Sequence, residues 1–314
     1  MRMNRRLAIR TLAVAGAGSL MHKLAGAFAQ DQKDFVIHSD VRLVLLDVSV
    51  KDRSGGFVSG LSKDNFTVIE NGAPQNITVF SATDEPVTVG LLVDESRSMS
   101  PRRADVISAA ETFIAQSNPQ DEIFVLNFND AVRRGLPEGT LFSDDPEQLR
   151  AALYRGHPQG KTVLYDAVIA GIDQLAQGRR DKKTLVVISD GGDTASTHSR
   201  REMLDMVEGN LATIYTVGLF EEGDPDRNPG LLRHLAAVSG GVAHFPQDTQ
   251  SLVAACSAVA KDIRARYTIG YPPPARNGGT IRHIRLNVSA PGHSRLVART
   301  REKYRYEQIE SGTR

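Results

Sequence analysis

Cysteine is nearly missing: Cys256 is the single one in 314 residues. An intrachain disulfide is therefore excluded, and no Cys/His cluster offers the usual ligands of zinc. Its surroundings, Leu252-Val253-Ala254-Ala255-Cys256-Ser257-Ala258-Val259, read as helix core. Neither sign of charge is in excess. Lysine plus arginine number 38 and aspartate plus glutamate 37, so no global field draws the chain to nucleic acid or to a membrane surface. The arginines and lysines between Lys261 and Arg305 are not interleaved with aromatics in a pattern that suggests base stacking, and exposed strand faces account for them. No Gly-x-Ser-x-Gly elbow is present, which removes the common serine-hydrolase arrangement. Gly156 to Thr162 approaches a phosphate-binding loop, but its glycines are one residue too close. Internal repeats and low-complexity tracts are missing too.

The N-terminus reads as an export signal rather than as fold. Met1-Arg2-Met3-Asn4-Arg5-Arg6 is a basic start, an Ala/Gly-rich apolar stretch follows, and Ala27-Phe28-Ala29 is a small-residue cleavage site before Gln30. His22 and Lys23 break the apolar stretch below the length of a membrane span. Asn4-Arg5-Arg6-Leu7-Ala8-Ile9-Arg10 is similar to a twin-arginine signal, although Ala8 stands where an aromatic is usual; a general secretory signal is the alternative. Either route predicts an exported protein, periplasmic or extracellular, with no integral membrane segment once the signal is removed.

What is present divides by rhythm. Residues 30–84 are β-rich: Val41–Val50 is a long apolar strand, and Phe66–Ile69 and Ile77–Phe80 flank the turn Glu70-Asn71-Gly72. Over 85–265 short apolar strands alternate with helices. Strands are expected at 87–93, 122–128, 184–189, 213–219 and 242–245. Helices are expected at 104–115, 146–154, 163–176, 200–208, 231–238 and 249–265, with Asp145 and Pro146 opening the second. This alternation predicts an α/β fold with a mostly parallel central sheet covered on both faces. Residues 266–314 return to strands, at 267–271 and 283–288, with 294–301 as the expected partner of the latter. The two β-rich flanks are expected to pack as one small sheet domain.

Three segments fall where strands end or on the loops beside them: Asp94-x-Ser96-x-Ser98, Gly160-Lys161-Thr162, and Ser189-Asp190-Gly191-Gly192-Asp193. Parallel strands can deliver all three to one rim, the usual place for ligands in such sheets. Two carboxylates and three hydroxyls suit Mg²⁺, Ca²⁺ or Mn²⁺ rather than zinc or copper. Competing with this reading, the first segment is a polar turn with Ser98 as a helix cap, and Thr162 caps its own helix. Asp193 reads as a loop residue, 221–226 as a solvated acidic loop, and His244 as a structural histidine.

Taken together, Leu91-Leu92-Val93-Asp94-Glu95-Ser96-Arg97-Ser98-Met99, Gly160-Lys161-Thr162-Val163-Leu164-Tyr165-Asp166-Ala167 and Val186-Val187-Ile188-Ser189-Asp190-Gly191-Gly192-Asp193 resemble the von Willebrand factor type A domain with its metal-ion-dependent adhesion site. The flanks Gly60–Gly72 and Arg266–Tyr271, with His283-Ile284-Arg285-Leu286, are similar to the bacterial von Willebrand factor A-related branch first noted in Acidobacteria. The resemblance implies a Rossmann-like fold and a non-enzymatic binding role. Ser96, Ser98 and Thr162 would contact a divalent cation, Mg²⁺ first, by their hydroxyls. Asp94 and Asp190 would bind it directly or through water. An open position would take an Asp or Glu carboxylate of a protein partner, as in adhesion. Arg97 departs from the family, which often has glycine there; its guanidinium could weaken cation binding or help to capture an acidic partner. A structural envelope component with a vestigial site, and a metal-dependent hydrolase or phosphotransferase, are the alternatives. A haloacid-dehalogenase-type phosphatase would need Asp at the position of Ser96.

Overall fold

The computed structural model describes residues 43–221, 223, 225–274, 281–293 and 295–306. The expected export signal (1–29), residues 30–42, Glu222 and Asp224 of the acidic loop, the Gly-rich loop after Pro274 and the last eight residues lie outside them. The first flank gives β1 (Val44–Lys51), a 3-10 turn at Lys63–Asn65, β2 (Phe66–Glu70), β3 (Ala73–Gln75) and β4 (Val79–Ser81). The alternating region opens with β5 (Val87–Asp94), a 3-10 segment at Arg97–Arg102, α1 (Arg103–Ala115), β6 (Glu122–Phe128), β7 (Val132–Arg134), α2 (Pro146–Tyr154) and α3 (Leu164–Leu175). It continues with β8 (Lys182–Ser189), α4 (Arg200–Gly209), β9 (Thr213–Gly218), α5 (Pro229–Ser239), β10 (Ala243–His244) and α6 (Thr249–Arg264). The second flank holds β11 (Tyr267–Tyr271), β12 (Ile281–Val288), β13 (Val297–Arg299) and β14 (Lys303–Arg305).

The central sheet runs β10-β9-β8-β5-β6-β7. All its pairings are parallel except β6 with β7. Every residue of β5, β6 and β9 is buried, the pattern of strands covered on both faces by helices. The α/β fold with a mostly parallel sheet therefore stands as expected from the alternation. Helix ends follow their capping chemistry. The Asp145 side chain accepts from the Glu147 N–H at the start of α2, and Ser199 with Glu202 closes a capping box on α4. Gly240, at φ 82°, ends α5 in the left-handed conformation. Cys256 lies on the buried face of α6, and burial pushes its thiol up to about 12.

Both flanks contribute to two further sheets, β13-β1-β11-β4 and β14-β12-β2-β3. The sheets share one apolar core, including Leu46, Val48, Phe66, Val68, Ile269 and Tyr271. Two pairings differ from expectation. The turn at Asn71-Gly72 does form a hairpin, but β2 pairs with 73–75, placing Pro74 on an edge strand where its missing N–H costs nothing. Val79–Ser81 instead pairs with β11. Likewise β13 pairs with β1, while β12 takes β2 and β14 as neighbours.

Candidate metal centre

In the strand order, β5 is flanked by β6 on one side and β8 on the other. The chain thus leaves β5 in one direction and later returns to its opposite edge. That reversal opens the crevice in which such sheets hold ligands. Asp94 is the last residue of β5, and Ser189-Asp190 closes β8. The two carboxylates meet there because the strands that carry them are neighbours.

Local geometry fixes each oxygen. The Ser96 N–H donates to Asp94 Oδ1 at 2.8 Å, an Asx turn that folds the chain back at the strand end. Ser189 Oγ donates to Asp94 Oδ2 at 2.6 Å. Ser98 Oγ donates to Asp190 Oδ2 at 2.5 Å, so the 3.0 Å contact between the two serine hydroxyls has Ser96 as donor. Asp190 Oδ1 accepts from the Gly192 N–H at 2.8 Å. Gly191, at φ 82°, makes that turn, and a Cβ on it would stand 2.6 Å from the Asn228 carbonyl oxygen. Asp94, Ser96 and Asp190 are each 2% exposed. Burial, and secondarily the charge of Asp190, raise the Asp94 carboxyl to about 7 against the lowering effect of its bonds to Ser189 and Ser96.

The third loop is tied in through its backbone. The Arg97 N–H reaches the Gly160 carbonyl at 3.4 Å. The Thr162 N–H donates to Thr194 Oγ1 at 3.0 Å, and its carbonyl accepts from the N–H groups of Thr194 and Ala195. Thr162 is buried. The structure therefore joins Asp94, Ser96, Ser98 and Asp190 in one hydrogen-bonded cluster and holds the Thr162 backbone against the loop after β8. The capping alternatives fail on geometry. Val163, not Thr162, is the N-cap of α3, and the Ser98 hydroxyl is spent on Asp190. Asp193 accepts from the Tyr165 N–H and from Ser196 Oγ, an arrangement that pins its loop to α3. Sequence reasoning missed Ser189 as the partner of Asp94. Its signal was a hydroxyl residue ending an otherwise apolar strand.

These residues fit a hard cation by donor type. Adjacent ligands on an octahedral ion with bonds of ~2.1 Å lie about 3 Å apart, close to the 3.0 Å between Ser96 Oγ and Ser98 Oγ. Among the described residues no three His, Cys, Asp or Glu side chains gather into a metal-holding group. The set here relies on hydroxyls for the rest of its oxygens. Arg97 is exposed, and among the described residues its side chain forms no ion pair, so it does not neutralise the two carboxylates.

The von Willebrand factor type A domain matches residues 89–192, a span that contains all five candidate ligands. Among solved structures, a von Willebrand factor type A protein from Catenulispora acidiphila is similar at 15% identity over 85% of this chain and 74% of that one, with a TM-score of 0.51. An aerotolerance-related membrane protein from Bacteroides fragilis aligns at 15% identity, over 56% and 98% of the two chains, with a TM-score of 0.46. The von Willebrand domain of a type V pili tip protein from Porphyromonas gingivalis aligns at 13% identity, over 58% and 96%, also at 0.46. Comparison with curated proteins gives no match. At such identities the first similarity speaks to fold. Residues 89–192, from β5 to the turn after β8, thus carry a von Willebrand factor type A domain.

Proposed function

We propose that this protein is an exported binding module that holds a divalent cation at the ends of β5 and β8 and uses it to capture an acidic group of a protein partner. The observation that carries the reading is the chain of contacts from Ser96 through Ser98 to Asp190. It aligns hydroxyl and carboxylate oxygens from two neighbouring strands at one point of the rim. Asp94, Ser96, Ser98, Thr162 and Asp190 would hold the ion. Mg²⁺ is the first choice for a site of oxygens alone, with Ca²⁺ and Mn²⁺ as alternatives. When bound, the ion would supply a positive charge that the uncharged serine and threonine hydroxyls do not neutralise, to which a carboxylate could attach. Asp94 orients the Ser96 turn, and Asp190 orients Ser98. Arg97, exposed beside the cluster, adds attraction for an acidic partner at its edge. The matched domain supports a protein-interaction role rather than catalysis. The basic N-terminal stretch and Ala27-Phe28-Ala29 support export, and among the described residues no helix is long and apolar enough to cross a membrane.

Calorimetric titration with Mg²⁺, Mn²⁺ and Ca²⁺ tests the site. One saturable event is expected in the native chain, lost in the double variant Asp94→Ala/Ser96→Ala. A native chain that takes up none of the three ions would sink the reading. Capture of partners from the cell envelope with and without EDTA then tests the role. Partners retained equally under both conditions would mean that the surface works without a cation.

A further inference from the structure

Behind the cation rim lies a second polar feature that the proposed binding role does not use. A cavity of about 240 Å³ opens between β6, β7 and the segment after α2. At roughly 30 Å³ per water that is room for about eight waters, or for a small organic molecule. Its buried wall contains Glu95, Asn127 and Gly156, and the exposed side chains of Arg133, Arg134 and Arg155 stand around it.

Two oxygens of that wall have no hydrogen-bond partner among the described residues, although both are buried: Glu95 Oε1 and Asn127 Oδ1. Each has its orientation set by the other half of its own group. Arg103 Nε donates to Glu95 Oε2 at 3.1 Å, which fixes the carboxylate. Asn127 Nδ2 donates to the Ala152 carbonyl at 2.9 Å, and since a carbonyl can only accept, the amide cannot be flipped. Glu95 Oε1 lies directly over Gly156, where a Cβ would come within 2.1 Å of it. Arg103 also holds the Gly156 carbonyl at 2.5 Å. The pair of acceptors is therefore built into the wall, and leaving buried acceptors unmatched is costly.

The charge pattern then selects a ligand class. A simple anion would answer the charge of the guanidinium groups, of which Arg133 already donates to Asn129 Oδ1 and Arg155 to the Gly135 carbonyl, and would leave both acceptors unmatched. A simple cation would satisfy the acceptors and face three arginines. A molecule with an ammonium at one end and a carboxylate at the other answers both. We propose that this cavity binds a small zwitterion of the amino-acid type, its ammonium donating to Glu95 Oε1 and Asn127 Oδ1 and its carboxylate held by the arginine rim. Because Glu95 lies in sequence between the candidate ligands Asp94 and Ser96, occupancy would bear on the turn that carries the cation site.

The test is a calorimetric titration in EDTA, so that the result stands apart from the cation reading. Glycine, 4-aminobutyrate and 6-aminohexanoate serve as probes of increasing length, with butyrate and butylamine as singly charged controls. At least one zwitterion is expected to bind saturably, about tenfold or more tighter than either control, which is about 1.4 kcal/mol. Glu95→Gln is expected to weaken it by a similar factor, with its unfolding midpoint measured alongside because the change also removes the charge paired with Arg103. The exposed pair Arg133→Ala/Arg155→Ala should do the same, and it keeps the proposal testable if the buried variant does not fold. Absence of saturable binding by every zwitterion, controls that bind as well, or a rim variant that binds like the native chain would each overturn it.

Discussion

Ser98 joins two strands across 92 positions of sequence through one hydroxyl, and it is only half buried. Removing that hydroxyl takes away an oxygen from the cluster without opening a core cavity. Ser98→Ala is expected to cost about 1.5–3 kcal/mol of stability, because it takes a charge-assisted bond from the buried Asp190, and to weaken Mg²⁺ binding by about tenfold or more. Thermal unfolding with and without Mg²⁺ checks both numbers at once, because a ligand at 100 times its Kd adds about 2.7 kcal/mol. An undiminished Mg²⁺-dependent rise in Tm would show that Ser98 is no ligand. Arg97 makes the opposite case. An exposed charge near the site acts through water and is worth up to about 1 kcal/mol, so Arg97→Ala should tighten Mg²⁺ by no more than about fivefold. A larger gain would mean that the guanidinium covers the ion. Asp94, Ser96, Ser98 and Asp190 could be picked out from sequence because each lies at or just beyond the end of an apolar strand, where local pattern and location coincide. Ser189 could not be assigned a role, because its contact with Asp94 depends on which strands are neighbours.

At the scale of elements, the site depends on how closely α5 approaches the loop after β8. The Asn228 N–H donates to the Asp190 carbonyl at 2.9 Å, and the Asn228 side chain caps α5 through the Leu231 N–H at 2.9 Å. Gly191 allows this approach by lacking a Cβ and by accepting φ 82°. Gly191→Ala should therefore cost about 1–3 kcal/mol in backbone strain and displacement, and it should weaken Mg²⁺ binding because Asp190 moves with its turn. Urea midpoints paired with Mg²⁺ titration decide it; a loss of stability with unchanged cation affinity would separate the loop from the site. The same local-versus-distant distinction governs the rest of the fold. The alternation of β5 to α6 was legible because each unit is short and its apolar period is local. In the flanks, β1 takes its partners from β11 and β13, near the other end of the chain. Nothing in Val79–Ser81 or Val297–Arg299 records which edge each will join. The turn at Asn71-Gly72 was readable, while the strand that follows it was not.

Over the whole molecule, the parallel-sheet core and the flanking sheets are joined by one buried ionic cluster. Asp262 of α6 pairs with Arg266 at 2.9 Å, accepts from Tyr215 of β9 at 2.5 Å and from Ser49 of β1 at 2.7 Å, and meets Arg299 of β13 at 3.3 Å. Burial alone would raise this carboxyl. Arg266, the Tyr215 hydroxyl, Arg299 and Ser49 together outweigh burial and hold it at about 2. Removing one side of such a pair leaves the buried Arg266 guanidinium without its counter-charge, so Asp262→Asn should cost about 3–5 kcal/mol at neutral pH. The sign of the pH effect follows from the depressed value. The stabilisation is complete above the unfolded pKa near 3.9 and disappears as pH falls through about 2, a loss of about 2.5 kcal/mol. The native chain should thus approach the variant in acid while standing well above it at neutrality. Urea unfolding of both proteins at a series of pH values from neutral to about 2, the folded pKa of Asp262, measures the gap. A gap that stays constant with pH would show that the carboxylate charge is not what joins the two layers, and that Asp262 acts there by shape and hydrogen bonding alone.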